Sequence, residues 1–439
     1  MTPLFSALLL FALMLALMAV RIPIAAAMFV AGLAGYLAQA GWLPLASHLK
    51  SYAHARFSGY DLSVIPLFLL MGQFASQGGL SRALFRFAAA LLGRFRGGLA
   101  MASVIACAAF GSVCGSSIAT AATIGSVALP EMKRHGYSGR LASATVAAGG
   151  TLGILVPPSV VLVVYAILAE QNIAKLFAAA LVPAAIALAG YLLAIGLYVR
   201  LVPGHAPEHD EVPAAALRET AAGVLPVAAI FLVVFGGIYG GIFTPTEGAA
   251  IGAAATLLTA LARREMDWPR FRASVEGTAK TSAMIFMIFL GADLLNSALA
   301  LTQAPGQVAQ AVAALDWPPM AVIAAILAFY VVLGCVMDEL SMILLTIPIV
   351  FPLVMGLELG LAPDEQAIWF GILVLMVVGI GLIAPPVGLN VHVVGGIDRS
   401  TALGETYRGV LPFLASDLLR TVLLMLVPAL SLFLVRLMD

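Results

Sequence analysis

Two stretches of this chain, GILVPPS from Gly153 to Ser159 and GLIAPPV from Gly381 to Val387, interrupt apolar segments that would otherwise be unbroken membrane helices. A double proline removes backbone donors and, with glycine nearby, leaves carbonyls without helical partners. Hydrocarbon does not tolerate such groups unless the break is buried in protein or lines a cavity. A matched pair of broken helices in the two halves of a hydrophobic chain points to the substrate and ion site of a secondary transporter.

The rest of the chain suits that setting. It is 62% hydrophobic and 10% charged, with mean hydropathy +1.07, and long apolar runs recur from Leu4 to Val435. This composition defines an all-α polytopic membrane protein in contact with the lipid bilayer and leaves no stretch long enough for a soluble domain. The longest polar stretch, Pro203 to Thr220, reads as a linker. The amino-terminal run lacks a basic leader region and reads as a retained helix. Cys107, Cys114 and Cys335 lie in apolar segments, which excludes a disulfide framework or a zinc site. No phosphate-binding loop ending in Lys and Ser or Thr is present, so ATP is not the energy source, and no nucleic-acid partner is expected.

Full spans are expected near 4–20, 23–42, 62–79, 140–170, 174–200, 221–242, 247–262, 279–300, 366–397 and 409–436. Segments 97–135 and 318–360 are too long for one span and are interrupted at mid-length, so each is either two short spans or a re-entrant hairpin; halves of about 15 to 18 residues, near the lower limit for spanning, favour the hairpin. Arg82, Arg86, Arg94 and Arg96 precede the first hairpin, and Lys133, Arg134 and Arg140 follow it, so both its ends face the cytoplasm. Asp316 precedes the second, and Glu358, Asp364 and Glu365 follow it, which places both its ends outside. Landmarks recur at a near-constant spacing of about 222 to 228 residues: Pro23 with Pro245, Gly111 with Gly334, Pro130 with Pro352, and Pro157-Pro158 with Pro385-Pro386. Five spans and a hairpin per half make the repeat inverted: residues 1–200 hold the first copy, 201–220 a cytoplasmic linker and 221–439 the second copy. Segments 80–96 and 265–278 mix arginine with large apolar residues, as interfacial arms do.

The tip of hairpin 1, GSVCGSSIATAATIG from Gly111 to Gly125, supplies neutral oxygen ligands from Ser112, Ser116, Ser117 and Thr120. With carbonyls freed at Gly149-Gly150-Thr151 and before Pro157, these suit a weakly held monovalent cation such as Na+. Close packing of small residues is the alternative use of such a run. The tip of hairpin 2, GCVMDELSM from Gly334 to Met342, holds Asp338 and Glu339 where a carboxylate needs a cation, a proton or a cavity. Carbonyls near Gly381 and Ala384, and the side chain of Asn390, complete a second candidate site. Of the two carboxylates, Asp338 is the better ion ligand and Glu339 the better fit to a water-filled crevice.

These tips, with IPLFLLMG (Ile65 to Gly72), YSGRLASATVAAGGTLGILVPPS, GCVMDELSMILLTIPIVFP and GLIAPPVGLN, resemble the large membrane subunit of tripartite ATP-independent periplasmic (TRAP) transporters over essentially the whole chain. The resemblance implies an elevator-type transporter in the bacterial inner membrane, not an enzyme, that moves organic acids such as C4-dicarboxylates or sialic acid inward with sodium. It also implies two partners, a periplasmic substrate-binding protein and a small four-helix membrane subunit. The family's ion-binding regions carry over onto Ser112, Gly115, Ser116 and Ser117 with Gly150, Thr151, Val156 and Pro157, and onto Gly334, Met337, Asp338 and Glu339 with Gly381, Ala384 and Pro385. An organic anion between the tips would meet Ser117, Thr120, Pro158, Ser159, Pro386 and Asn390.

The rival transporter reading is a sodium/dicarboxylate symporter of similar architecture that needs no binding protein. A passive channel and an intramembrane protease are further rivals, the latter resting on His205, Glu208 and His209 in HxxEH spacing. Prolines at 203, 207 and 213 oppose the helix which that motif requires. Asp293 and Asn296, one helical turn apart, could line the pathway or pair internally, whereas Asp417 and Arg420 read as a structural ion pair.

Overall fold

The structure, a computed structural model, describes residues 3–207, 216–304, 306, 307, 310 and 317–438. Asp316, Glu208 and His209 lie outside the described residues, as does part of the 201–220 linker. The described elements are helices, as expected for a chain that must satisfy every backbone group within hydrocarbon. The fold is an all-α inverted repeat with two hairpins and two broken helices.

Hairpin 1 comprises helices Gly98–Cys114 and Ser117–Arg134, and hairpin 2 comprises Pro319–Gly334 and Glu339–Met355. Each hairpin leads into a broken helix. The first has halves Gly139–Leu155 and Val160–Leu168, bent by 43° at the prolines. The second has halves Pro363–Ile383 and Leu389–Ile397. Both Pro-Pro bonds, 157-158 and 385-386, are cis. A long helix follows each break, Ile173–Leu201 in the first half and Leu403–Leu426 in the second, and the two pack together beside the hairpins.

The remaining helices form a second group. Ile24–Ala40 packs along Trp268–Leu301, and Val64–Gln77 along Pro245–Ala262. Helix Leu80–Leu92 leaves Val64–Gln77 at 66° and buries Leu80, Leu84, Phe85, Ala88 and Ala89 while Arg82 and Arg86 stay exposed. One apolar and one basic face make it the interfacial arm expected over 80–96.

Three boundaries differ from expectation. The arm expected at 265–278 and the span at 279–300 are one helix, Trp268–Leu301. Nothing between Arg272 and Ser282 stops a helix, and an Arg272–Glu276 pair one turn apart at 2.6 Å supports it. The span expected at 409–436 starts earlier and is divided into Leu403–Leu426 and Ala429–Arg436, because Pro428 pushes Val427 out of helical geometry (φ −126°, ψ 75°). Helix Trp42–Phe57, between the second and third spans, has too little apolar character to announce itself in hydropathy.

At the end of the molecule that carries the basic flanks, Asp398 closes helix Leu389–Ile397 and accepts from Lys133 Nζ, Thr401 Oγ1 at 2.7 Å, Ser400 Oγ at 2.9 Å and Ser143 Oγ at 3.2 Å. Burial alone would raise its pKa, but the bonds from Lys133, Thr401 and Ser400 outweigh burial and hold the carboxyl well below the usual carboxylate range. Arg140 pairs with Glu405 nearby at 2.5 Å. Ser138 meets His205 Nδ1 at 2.7 Å, so the described histidine of the HxxEH string serves the hairpin's exit.

Candidate substrate and ion site

Hairpin 1 turns at Gly115, whose φ of +66° lies in the region that a side chain resists. A Cβ there would stand 3.0 Å from the Pro158 carbonyl oxygen, so the tip rests directly on the first break. Ser116 caps the second arm by accepting from the Ala119 N–H at 3.5 Å. Asp338 does the same in hairpin 2, accepting from the Ser341 N–H at 3.1 Å. Short polar side chains at these positions satisfy backbone donors that open each helix.

Paired glycines hold each hairpin against its own broken helix. A Cβ on Gly111 would come within 2.5 Å of the Gly153 Cα, and one on Gly381 within 2.5 Å of the Gly334 Cα. Only backbone can cross backbone at such distances, and small residues are what permit it in membrane bundles.

The two halves meet at Asn390. Its Nδ2 donates to Ser117 Oγ at 2.7 Å and to the Ala147 carbonyl at 3.0 Å, while its buried Oδ1 has no partner. One side chain of the second broken helix thereby touches hairpin 1 and the first broken helix. Gly150 lies against this junction, between Asn390 Nδ2, the Ser117 carbonyl and Ala121. The Glu339 carboxyl is 5% exposed, and its Oε2 has no hydrogen-bond partner. Each second arm opens on a buried residue, Ser117 in one and Glu339 in the other, at the positive end of its helix dipole.

Other expected residues are placed differently. Thr120 is buried facing Gly153, and its hydroxyl has no hydrogen-bond partner. Thr151 turns away from the tip, with its hydroxyl 2.7 Å from the Ala148 carbonyl and 2.9 Å from the Tyr191 hydroxyl. Ser112 donates to the Ala109 carbonyl at 2.8 Å. With Val156, it lines an apolar cavity of about 540 Å³ facing helices Ile173–Leu201 and Ala216–Tyr239. Pro157, Pro158 and Ser159 are buried, and Ser159 caps the second half of its helix through the Leu162 N–H at 3.3 Å. Pro385 and Pro386 are exposed, following Ala384, where the helix gives way to extended backbone. Carbonyls of Pro386 and Val387 accept from the Tyr407 hydroxyl at 3.3 and 2.6 Å. Met337 is buried beside the second tip.

Sequence reasoning missed Tyr191, which donates to Asp417 Oδ2 at 2.9 Å and links Thr151 to the buried Asp417–Arg420 pair. A tyrosine in a long apolar helix carries no local signal of such a role. Asn296 lines a cavity of about 400 Å³ bordered by Pro348 and Ile349, and neither amide atom is hydrogen-bonded.

Hydroxyls, an amide and two helix openings around paired helix breaks define a secondary membrane transporter. The solved structure of the Alcanivorax borkumensis YdaH transporter, described as having an unusual topology, shares this fold with a TM-score of 0.58 at 15% identity, over 88% of this chain and 89% of that one. Residues 11–430 match the family model described as the DctM component of tripartite ATP-independent periplasmic transporters. The chain is 37% identical to the C4-dicarboxylate TRAP transporter large permease of Pseudomonas aeruginosa, over 85% of this chain and 86% of that protein. It is 34% identical to the Rhodobacter capsulatus protein of the same description, over 99% and 100%. A sialic acid TRAP permease of Haemophilus influenzae is 27% identical, over 94% of this chain and 66% of that one. The chain belongs to the large permease subunits of TRAP transporters, and is a multi-pass protein of the inner membrane.

Proposed function

We propose that this subunit imports a small organic acid, a C4-dicarboxylate or a carboxylate of similar size, driven by sodium. The observation that carries the reading is the meeting of hairpin 1 with both broken helices at Asn390 and Ser117, while hairpin 2 crosses the second broken helix at Gly334 and Gly381. A carboxylate between the tips gains from two helix openings and from backbone donors without requiring an intramembrane arginine. Sodium supplies the compensating charge, held by hairpin 1 oxygens on one side and by Asp338 on the other. Asp338 suits an exchanging ion because one oxygen serves the helix cap while the side chain remains half-buried, whereas Glu339 is buried.

The paired glycine crossings support an elevator motion in which each hairpin travels with its broken helix. In this reading residues 1–200 and 221–439 are the two repeats, joined by a cytoplasmic linker over 201–220. Membership of a tripartite family assigns substrate capture to a periplasmic binding protein and lateral support to a small membrane subunit. The test is reconstitution in vesicles under a sodium gradient. The chain with both partners and a C4-dicarboxylate is expected to give uptake that collapses when sodium is replaced by potassium. Full-rate uptake by this polypeptide alone would favour the partner-independent symporter, and sodium-independent uptake would remove the coupling.

A further inference from the structure

Between the interfacial arm Leu80–Leu92 and the second arm of hairpin 1 lies a cavity of about 630 Å³ that the transport site does not use. Its polar wall carries Arg82 and Arg86 from the arm and Arg134 from the hairpin. Its apolar wall includes Phe85 and Val127. Glu131 is the carboxylate of the lining, and Arg134 lies 3.6 Å from it. Arg82 and Arg86 have no ion-pair partner among the described residues. They sit on the basic face of an amphipathic helix at the end of the molecule where arginines concentrate, which the charge asymmetry of the loops assigns to the cytoplasm.

An occupant must therefore be anionic at one end and apolar along its length, and must reach the cavity at headgroup depth. We propose that the cavity binds an anionic glycerophospholipid of the inner leaflet, with its phosphate on Arg82 and Arg86 and the beginning of its acyl chains along Phe85 and Val127. Basic pockets between membrane helices on the cytoplasmic side hold anionic headgroups through this combination of charge and apolar wall. A free organic anion lacks the apolar part, and a zwitterionic lipid lacks the net charge. A lipid held here touches the arm and hairpin 1 together.

The test uses the full chain, purified in detergent, stripped of lipid and titrated with phosphatidylglycerol or phosphatidylcholine while retained lipid is counted by native mass spectrometry. The intact chain is expected to retain phosphatidylglycerol in preference to phosphatidylcholine. The double variant Arg82→Gln/Arg86→Gln is expected to lose roughly thirtyfold in affinity for it, at about tenfold per 1.4 kcal/mol and about 1 kcal/mol per arginine. Arg272→Gln, which alters an exposed arginine outside the cavity, should leave retention unchanged. Both altered arginines are exposed, and an unchanged gel-filtration profile verifies the fold of the variant. Equal retention by the double variant, or equal retention of the two lipids, overturns the proposal. Displacement by glycerol phosphate as effective as that by the lipid would show a simple anion site, and displacement by a C4-dicarboxylate would place the cavity on the substrate path. Either result also overturns it, and neither bears on sodium coupling at the hairpin tips.

Discussion

Hairpin 1 and hairpin 2 have the same backbone plan and opposite chemistry. Each turns after a glycine-crossed first arm and opens its second arm with a capping side chain, Ser116 in one and Asp338 in the other. The residue after each cap is buried, Ser117 in the first and Glu339 in the second. The first break is enclosed at its prolines, whereas the second is exposed and has its carbonyls covered by Tyr407. The caps and the crossings, which geometry demands, are common to both hairpins, and the charge is not. One tip is thus neutral and the other acidic.

The flanks differ as sharply as the tips, and the largest expected effect tests them. Single cysteines at Arg96 and Asp364, in a background lacking the three native cysteines, are expected to react with an impermeant reagent from the cytoplasmic and external sides respectively. The reaction should be all-or-none with sidedness, since bilayer crossing by a charged reagent is negligible. Reaction of both from one side would dissolve the inverted relation between the hairpins.

A smaller effect separates the matched caps. Asp338→Asn keeps a competent cap, because asparagine caps as well as aspartate, but removes the charge offered to sodium. Its half-saturating sodium concentration in uptake is expected to rise about tenfold, equivalent to ~1.4 kcal/mol. Ser116→Ala should instead lower thermal stability by about 0.5 to 1 kcal/mol with less change in sodium dependence, since its capping bond is long. Equal sodium responses in the two variants would mean that charge at the second tip has no special part in coupling.

The remaining effect is on stability alone and concerns the contact between hairpin 1 and the second broken helix. Asp398 is depressed in the folded state, so its stabilisation is fully present above the unfolded carboxylate value of about 3.9 and is lost as pH falls through the lower folded value. From pH 8 to 5 this group should therefore leave the melting temperature flat. Lys133→Met is expected to cost about 1 to 2 kcal/mol at pH 7, discounted because the lysine is partly exposed. The gap between variant and parent should narrow as acid protonates Asp398. A gap unchanged at low pH would assign the lysine's contribution to packing alone.

The hairpins and the broken helices were legible because each leaves a local mark: small residues at a tip, prolines at a break. The 34-residue continuity of Trp268–Leu301 was hidden because a charged stretch that can lie along an interface can equally extend a span. Helix Trp42–Phe57 was hidden because it carries neither a strong apolar run nor a clear basic face. Asn390 stood out as a polar residue after a break, but its contacts lie 243 and 273 residues away in the chain. Likewise, Thr151 looks like an ion ligand in sequence, and only the position of Tyr191 reveals where its hydroxyl turns.

Helix Pro363–Ile383 has a further consequence. Its sequence is as oily as that of any lipid-facing span, yet from Gln366 to Ile383 every residue is enclosed by protein. Trp369 donates across it to the Leu424 carbonyl at 2.9 Å, and the Tyr165 hydroxyl donates to the Ala367 carbonyl at 2.6 Å. Over evolutionary time such a helix should drift slowly in side-chain volume, since a leucine shortened to alanine there opens a void worth about 2 to 5 kcal/mol. Leu225 and Leu232, both 69% exposed on Ala216–Tyr239, face no such constraint and can exchange among apolar types at little cost. Two segments indistinguishable by hydropathy are therefore expected to age at different rates.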